Sequence, residues 1–194
     1  VQNRAGGPFP FHHGRLSLSF AGTLGYRTSD APFERVDGAQ RLGEWLIAAG
    51  LVRTRKPPEI DPLTYRRAIE LREAIFEIAS AFASGSKPKR DGIAVINAAA
   101  KRWSSVPQLE PATLRFAARP EADAARLALG RVAADAIELF GDAALRANLR
   151  ACEAGDCSAI FLNPGRGRAR RWCSMARCGN RAKVAAFRAR QKEA

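Results

Sequence analysis

The chain has 194 residues, of which 46% are apolar and 26% charged, with a net charge of +13. That length supports one medium domain, or one domain and a small module, and the balance excludes a disordered chain. No apolar run approaches the roughly 20 residues that span a bilayer, and residues 1–14 lack the apolar segment of a secretion signal. A soluble protein of a reducing cytoplasm, with no membrane partner, is therefore expected.

The residues near the start predict little regular structure. His12 and His13 are the only histidines and read as a solvated pair. LSLSF, residues 16–20, alternates and predicts a short strand. Residues 38–50 place Leu42, Trp45, Leu46 and Ala49 on one helical stripe, with Gly50 positioned to end the helix in a left-handed conformation. A longer helix is predicted over 61–84, with Asp61 as N-cap and Pro62 at its first position. Leu71, Ile75, Ile78 and Phe82 form its inner face. Asp91 is expected to cap a third helix whose inner face is Ile93, Ile96, Ala100 and Trp103. Thr113–Ala117 predicts a second strand. Residues 121–149 read as a long helix that Gly141-Asp142 breaks or re-caps. Trp45, Phe82 and Trp103 are core residues on this reading. None of the common nucleophile, phosphate-loop, dinucleotide or zinc-protease motifs occurs, so the sequence offers no positive case for an enzyme.

The remaining quarter has a different character. Residues 146–194 hold twelve of the 32 Lys and Arg and three of the 19 Asp and Glu, a net +9, leaving +4 for residues 1–145. A concentrated basic field attracts polyanions, nucleic acid above all, although a solvated basic tail carries the same charge. All four cysteines lie here as Cys152-x4-Cys157 and Cys173-x4-Cys178. Two close pairs joined by a loop suit a tetrahedral four-thiolate zinc site. An iron–sulfur cluster, disulfides or free thiols are the alternatives. Gly155-Asp156 forms the turn in the first pair, and Gly179 follows the second. Some of the arginines offset the −2 formal charge of zinc with four thiolates. Others remain for a partner. The loop NPGRGRARR carries Arg166, Arg168, Arg170 and Arg171. A helix from Asn180 carries Arg181, Arg188 and Lys192 along one line and Lys183 and Arg190 on another side. Val184 and Phe187 share an edge expected to pack on the module, and Trp172 is expected to pack beside the metal.

CEAGDC followed by FLNPGRGRARRWCSMARCGNRAK closely resembles the bacterial CGNR zinc finger. GRLSLSFAGTL with RLGEWLIAAGL resembles the start of the ABATE-type domain that accompanies this finger in a family of stress-induced transcription regulators. The resemblance implies that Cys152, Cys157, Cys173 and Cys178 hold zinc, and that Asn180, Arg181 and Lys183 occupy the finger's motif positions. It also implies DNA as partner and an N-terminal domain that senses a ligand or mediates interactions. Ser19 stands where the family has Asp, and Gly22 where it has Asn. Asn163-Pro164 replaces an acidic or hydroxyl residue.

The expected fold is α+β: a mostly helical domain with a small sheet over 1–148, then a four-cysteine zinc module over 149–194 ending in a basic helix. The expected function is a transcription regulator, not an enzyme. Arg166, Arg168, Arg170, Arg171, Asn180, Arg181, Lys183 and Arg188 are the residues expected at nucleic acid, in a chain able to act as a homodimer. The alternatives are an RNA-binding factor using the same surface and a small-molecule-binding or interaction protein whose zinc module is structural.

Overall fold

The computed structural model describes residues 9–103, 111–114, 121–163 and 169–193. Most of the Thr113–Ala117 strand, together with Arg166 and Arg168, lies outside these residues. Helices dominate, joined by two antiparallel ribbons of two strands each.

The first correction to the sequence reading is α1, Leu16–Ala21, where a strand was expected. LSLSF alternates in polarity, yet Ser17, Leu18, Ser19 and Phe20 are all buried, so the serines do not mark a solvent face. Their polar groups are satisfied inside. Asp135 accepts from the Ser17 amide at 2.8 Å and its hydroxyl at 2.5 Å, and the Ser19 hydroxyl donates to the Arg15 carbonyl at 2.8 Å. Buried hydroxyls with partners are compatible with a helix, and periodicity alone does not detect them.

The ribbon of β1, Leu24–Gly25, and β2, Phe33–Glu34, follows. Helix α2, Ala39–Ala48, buries Leu42, Trp45 and Leu46, and Gly50 takes φ +73° just beyond its end, as its position predicts. Helix α3, Pro62–Ala83, starts as expected: the Asp61 side chain accepts from the Thr64 amide at 2.9 Å. From this helix Arg72, only 3% exposed, donates to Glu34 at 2.7 Å and Glu73 at 2.8 Å, fixing the ribbon to the helical core.

Helix α4, Arg90–Arg102, differs from expectation in two respects. Lys89 is its N-cap residue, and Asp91 lies inside the first turn, where its charge favours the helix dipole. Its inner face is Gly92, Ile96, Ala99 and Trp103, and Ile93 is exposed. Gly92 faces Ile78 on α3, where a Cβ would lie at an ordinary contact distance of 3.4 Å. Helix α5, Glu121–Gly141, ends at Asp142, which accepts from the Ala144 and Leu145 amides and starts the short α6, Ala143–Arg146. The re-capping at Gly141-Asp142 is therefore observed.

Helices α3, α4 and α5 pack on one another, and α1 lies against α3 and α5. Phe20, Trp45, Leu46, Leu71, Ile75, Leu129 and Val132 fill the main core. A second apolar cluster links Leu18 of α1, Ala79 of α3 and Leu139 of α5 to Leu149 and Ile160. The last two lie on the second ribbon, β3 (Leu149–Ala151) paired with β4 (Ile160–Leu162), which the sequence reading did not anticipate. The cysteine-bearing segment is thus seated on the helical core through buried side chains, each contributing about 1.5–3 kcal/mol.

Asp135 holds α1 to α5 through Ser17 and through Arg15 at 2.9 Å. Asp135→Ala leaves the buried Ser17 amide and hydroxyl without this acceptor, while Arg15 keeps Glu138 at 3.0 Å, and is expected to cost about 1–3 kcal/mol in urea unfolding. A loss below about 0.5 kcal/mol would contradict this role.

Candidate metal centre and cationic surface

The β3–β4 ribbon positions the first cysteine pair. Cys152 follows β3, and its amide donates to the Ala159 carbonyl at 2.9 Å. The turn at Gly155-Asp156 closes with the Cys157 amide on the Ala154 carbonyl at 2.9 Å. The second pair brackets a wide helical turn, Met175–Gly179, that leads into α7, Asn180–Glu193. A Cβ at Gly179 would lie 2.8 Å from the Met175 sulfur and 3.3 Å from the Trp172 ring, so the backbone passes close to both side chains there. The Glu153 amide donates to the Arg171 carbonyl at 3.0 Å and the Cys173 amide to the Cys152 sulfur at 3.4 Å, tying the two halves together.

All four Sγ atoms lie within 4.8 Å of one another, and no disulfide joins them. Cys157 and Cys173 are 3.8 Å apart, Cys173 and Cys178 3.7 Å. A tetrahedron with zinc–sulfur bonds of about 2.3 Å has edges of about 3.8 Å, so these two edges already have the length that zinc requires. The electrostatics agree. The Cys157 thiol is held down to about 5, chiefly by its hydrogen bond with Cys173. Cys173 is pushed up by that same bond and by burial, and Cys178 is pushed up to about 11, chiefly by burial. The first thiolate discourages the next, and a divalent cation is what allows all four to ionise together. Zinc is the cofactor this centre holds.

Phe161 and Trp172 pack beside the sulfurs, as expected of Trp172. Arg181 donates to both Asp156 oxygens, at 2.6 and 3.1 Å, and to the Cys178 sulfur at 3.5 Å, and it lies over the Tyr26 ring. Arg171 pairs with Glu153 at 2.6 Å and covers Trp172. Arg170 donates to the Leu162 carbonyl at 3.0 Å and stacks on Phe161. Asn180 opens α7 and is exposed. Lys183, Arg188 and Arg190 are exposed along α7, with no ion pair to a carboxylate among the described residues. Val184 and Phe187 were expected to pack on the module, but they are 42% and 54% exposed. Among the described residues helix α7 packs chiefly on the turn before it, which leaves its apolar edge partly exposed.

His12 and His13 correct another expectation. They stack with ring centroids 4.6 Å apart, and His13 is 2% exposed rather than solvated. The His13 carbonyl accepts from the Leu162 amide at 2.8 Å, so this early segment lies against β4. Gly22 makes room for the ring, since a Cβ there would lie 2.5 Å from it. Burial, then Arg177, Arg170 and Arg35, lowers His12 to about 4; burial, then His12, lowers His13 to about 3. Both are neutral at pH 7. Arg35 and Arg177 reach this site without having been singled out in the sequence. Arg177 sits in the gap between two cysteines, and Arg35 is brought in by the β1–β2 ribbon, which has no periodic signature.

Cys173 is buried at the centre of the sulfur cluster. Cys173→Ser is expected to lower zinc affinity by more than about 100-fold, measured by competition with a colorimetric chelator, while the wild type holds one zinc per chain. A wild-type chain that purifies without zinc and fails to take it up would contradict the assignment.

Residues 14–143 match the ABATE family, described as "putative stress-induced transcription regulator", and residues 148–191 match the CGNR zinc finger. A search of curated proteins finds no significant relative. No helix among the described residues is long and apolar enough to cross a membrane. The first match covers more than half of the chain, and the second contains the four-sulfur centre with its Cys178-Gly179-Asn180-Arg181 run. By these matches and this centre, the chain belongs to the ABATE family and carries a CGNR zinc finger.

Proposed function

We propose that this chain is a bacterial transcription regulator, not an enzyme, that binds duplex DNA through its zinc finger and α7. The observation that carries the reading is α7 itself. The helix is exposed along most of its described length, carries Lys183, Arg188 and Arg190 without carboxylate partners among the described residues, and leaves Val184 and Phe187 42% and 54% exposed. A basic helix of about 10–12 Å diameter suits the major groove, where guanidinium and ammonium groups meet phosphates and guanine edges, and Phe or Val meets thymine methyls.

The zinc centre serves this surface by fixing where α7 begins. Arg181 is committed to Asp156 and Cys178, so we assign it to anchoring the root of α7. Lys183, Arg188 and Arg190 take the groove and phosphate contacts. Arg170 and Arg171 extend the field on the finger side, and Arg166 and Arg168 belong to the same basic loop. In this reading the helical domain over 1–148 is the controlling part and the finger over 149–194 the DNA-binding part.

About five phosphate contacts give a log–log salt slope near −4 to −5 for binding to mixed-sequence duplex. Fluorescence anisotropy of the zinc-loaded chain is expected to show that slope, and a Lys183→Ala/Arg188→Ala/Arg190→Ala variant to lose about three units of it. Equal or tighter binding to an RNA hairpin would favour the RNA reading. No duplex binding at low salt would overturn the proposal.

A further inference from the structure

A cleft of about 350 Å³ lies between the helical domain and the finger. One wall comes from His12, His13, Tyr26 and Arg35, the other from Ala159, Ile160, Ala176 and Arg177. Its volume is at the small end of the range for ligand sites. Leu18, Leu24 and Phe76 give it an apolar floor, the zinc ligands Cys157, Cys173 and Cys178 form part of its lining, and no Asp or Glu lines it.

Charge and hydrogen bonding around the cleft are both incomplete. His13 is 2% exposed, and its Nδ1 has no partner among the described residues. Such a buried polar atom normally has one. Arg181 and Arg171 have Asp156 and Glu153 as partners. Arg35, Arg170 and Arg177 have no carboxylate partner among the described residues, and all three act on the histidine pair. Zinc with four thiolates offsets two of those three charges. One positive charge remains over an apolar pocket, a surplus that a polyanion such as a nucleotide would exceed and a neutral molecule would leave unanswered.

We infer that this cleft binds a small apolar monocarboxylate, its carboxylate held by Arg35 and Arg177 beside His13 and its apolar body over Leu18, Leu24 and Phe76. The site is formed by both parts of the chain. Its occupant touches the segment that leads into α7, since Asn180 and Arg181 line the same cleft. Gly22 belongs to the design, because the space its missing side chain leaves is taken by the His13 ring. Binding of the acid is independent of whether α7 contacts DNA.

The test uses the full zinc-loaded chain without nucleic acid. Benzoate, hexanoate and indole-3-acetate are each compared with the matching neutral amide by ligand-observed NMR and calorimetry. At least one acid is expected to bind with its amide about tenfold weaker or worse, and to shift the ring resonances of His12 and His13. Arg177→Gln and Arg35→Gln are each expected to weaken that acid about tenfold or more with zinc content unchanged, and Arg177→Gln to leave the melting temperature unchanged as well. Arg177 is exposed and unpaired, so its variant tests the charge without disturbing the core. The proposal is overturned if none of the acids binds at about 10 mM, if the amides bind as well, or if both variants keep full affinity. Because no DNA is present, none of these outcomes depends on the DNA-binding reading.

Discussion

Four sulfur atoms within 4.8 Å of one another set the terms for the C-terminal quarter of this protein. Ionising all four in so small a volume without a cation is electrostatically prohibitive, and leaving them protonated would place four weak hydrogen-bonding groups where a short ribbon and a turn have little else to hold them together. A bound zinc resolves both problems. It fixes the ribbon to the wide turn, and through Gly179 and Arg181 it determines where α7 starts. The helix has few tertiary contacts of its own, so its direction follows from that centre.

The same centre divides the arginines into groups with different work. Arg181 and Arg171 are held by Asp156 and Glu153 close to the sulfurs, where they also compensate the thiolates. Lys183, Arg188 and Arg190 are exposed along α7 and have no carboxylate partner among the described residues. Arg35, Arg170 and Arg177 surround a histidine pair that burial keeps neutral. The net charge of +13 therefore does not describe one uniform surface. It includes a compensated centre, an outward helix and an inward cleft, besides the +4 carried by residues 1–145.

How much of this the sequence disclosed depends on how local each signal is. Asp61-Pro62 states a helix start in two residues, and the capping bond is present. The two cysteine pairs state a metal site by residue type and spacing, and the sulfurs meet. LSLSF misled because alternation implies two environments, whereas Ser17 and Ser19 share the interior with Leu18 and Phe20 through hydrogen bonds to Asp135 and Arg15. His13 was read as solvated because the strand that buries it is distant in the chain. Gly22 was visible as a departure from the family pattern, but its meaning required the ring that fills its place. Val184 and Phe187 showed the reverse limit: helical spacing gives them a common edge and does not say whether anything lies against it.

The central claim is that zinc, through one four-sulfur centre, sets the position of α7 and closes the finger onto the helical domain. Amide hydrogen exchange of the full chain, with zinc and after its removal by a chelator, tests it most directly. The account predicts loss of protection in three places on zinc removal: the β3–β4 ribbon, the turn and first half of α7, and the His13 segment against Leu162. The α3–α5 core should keep its protection. Unchanged exchange in the turn and α7 after the metal is gone would contradict the claim.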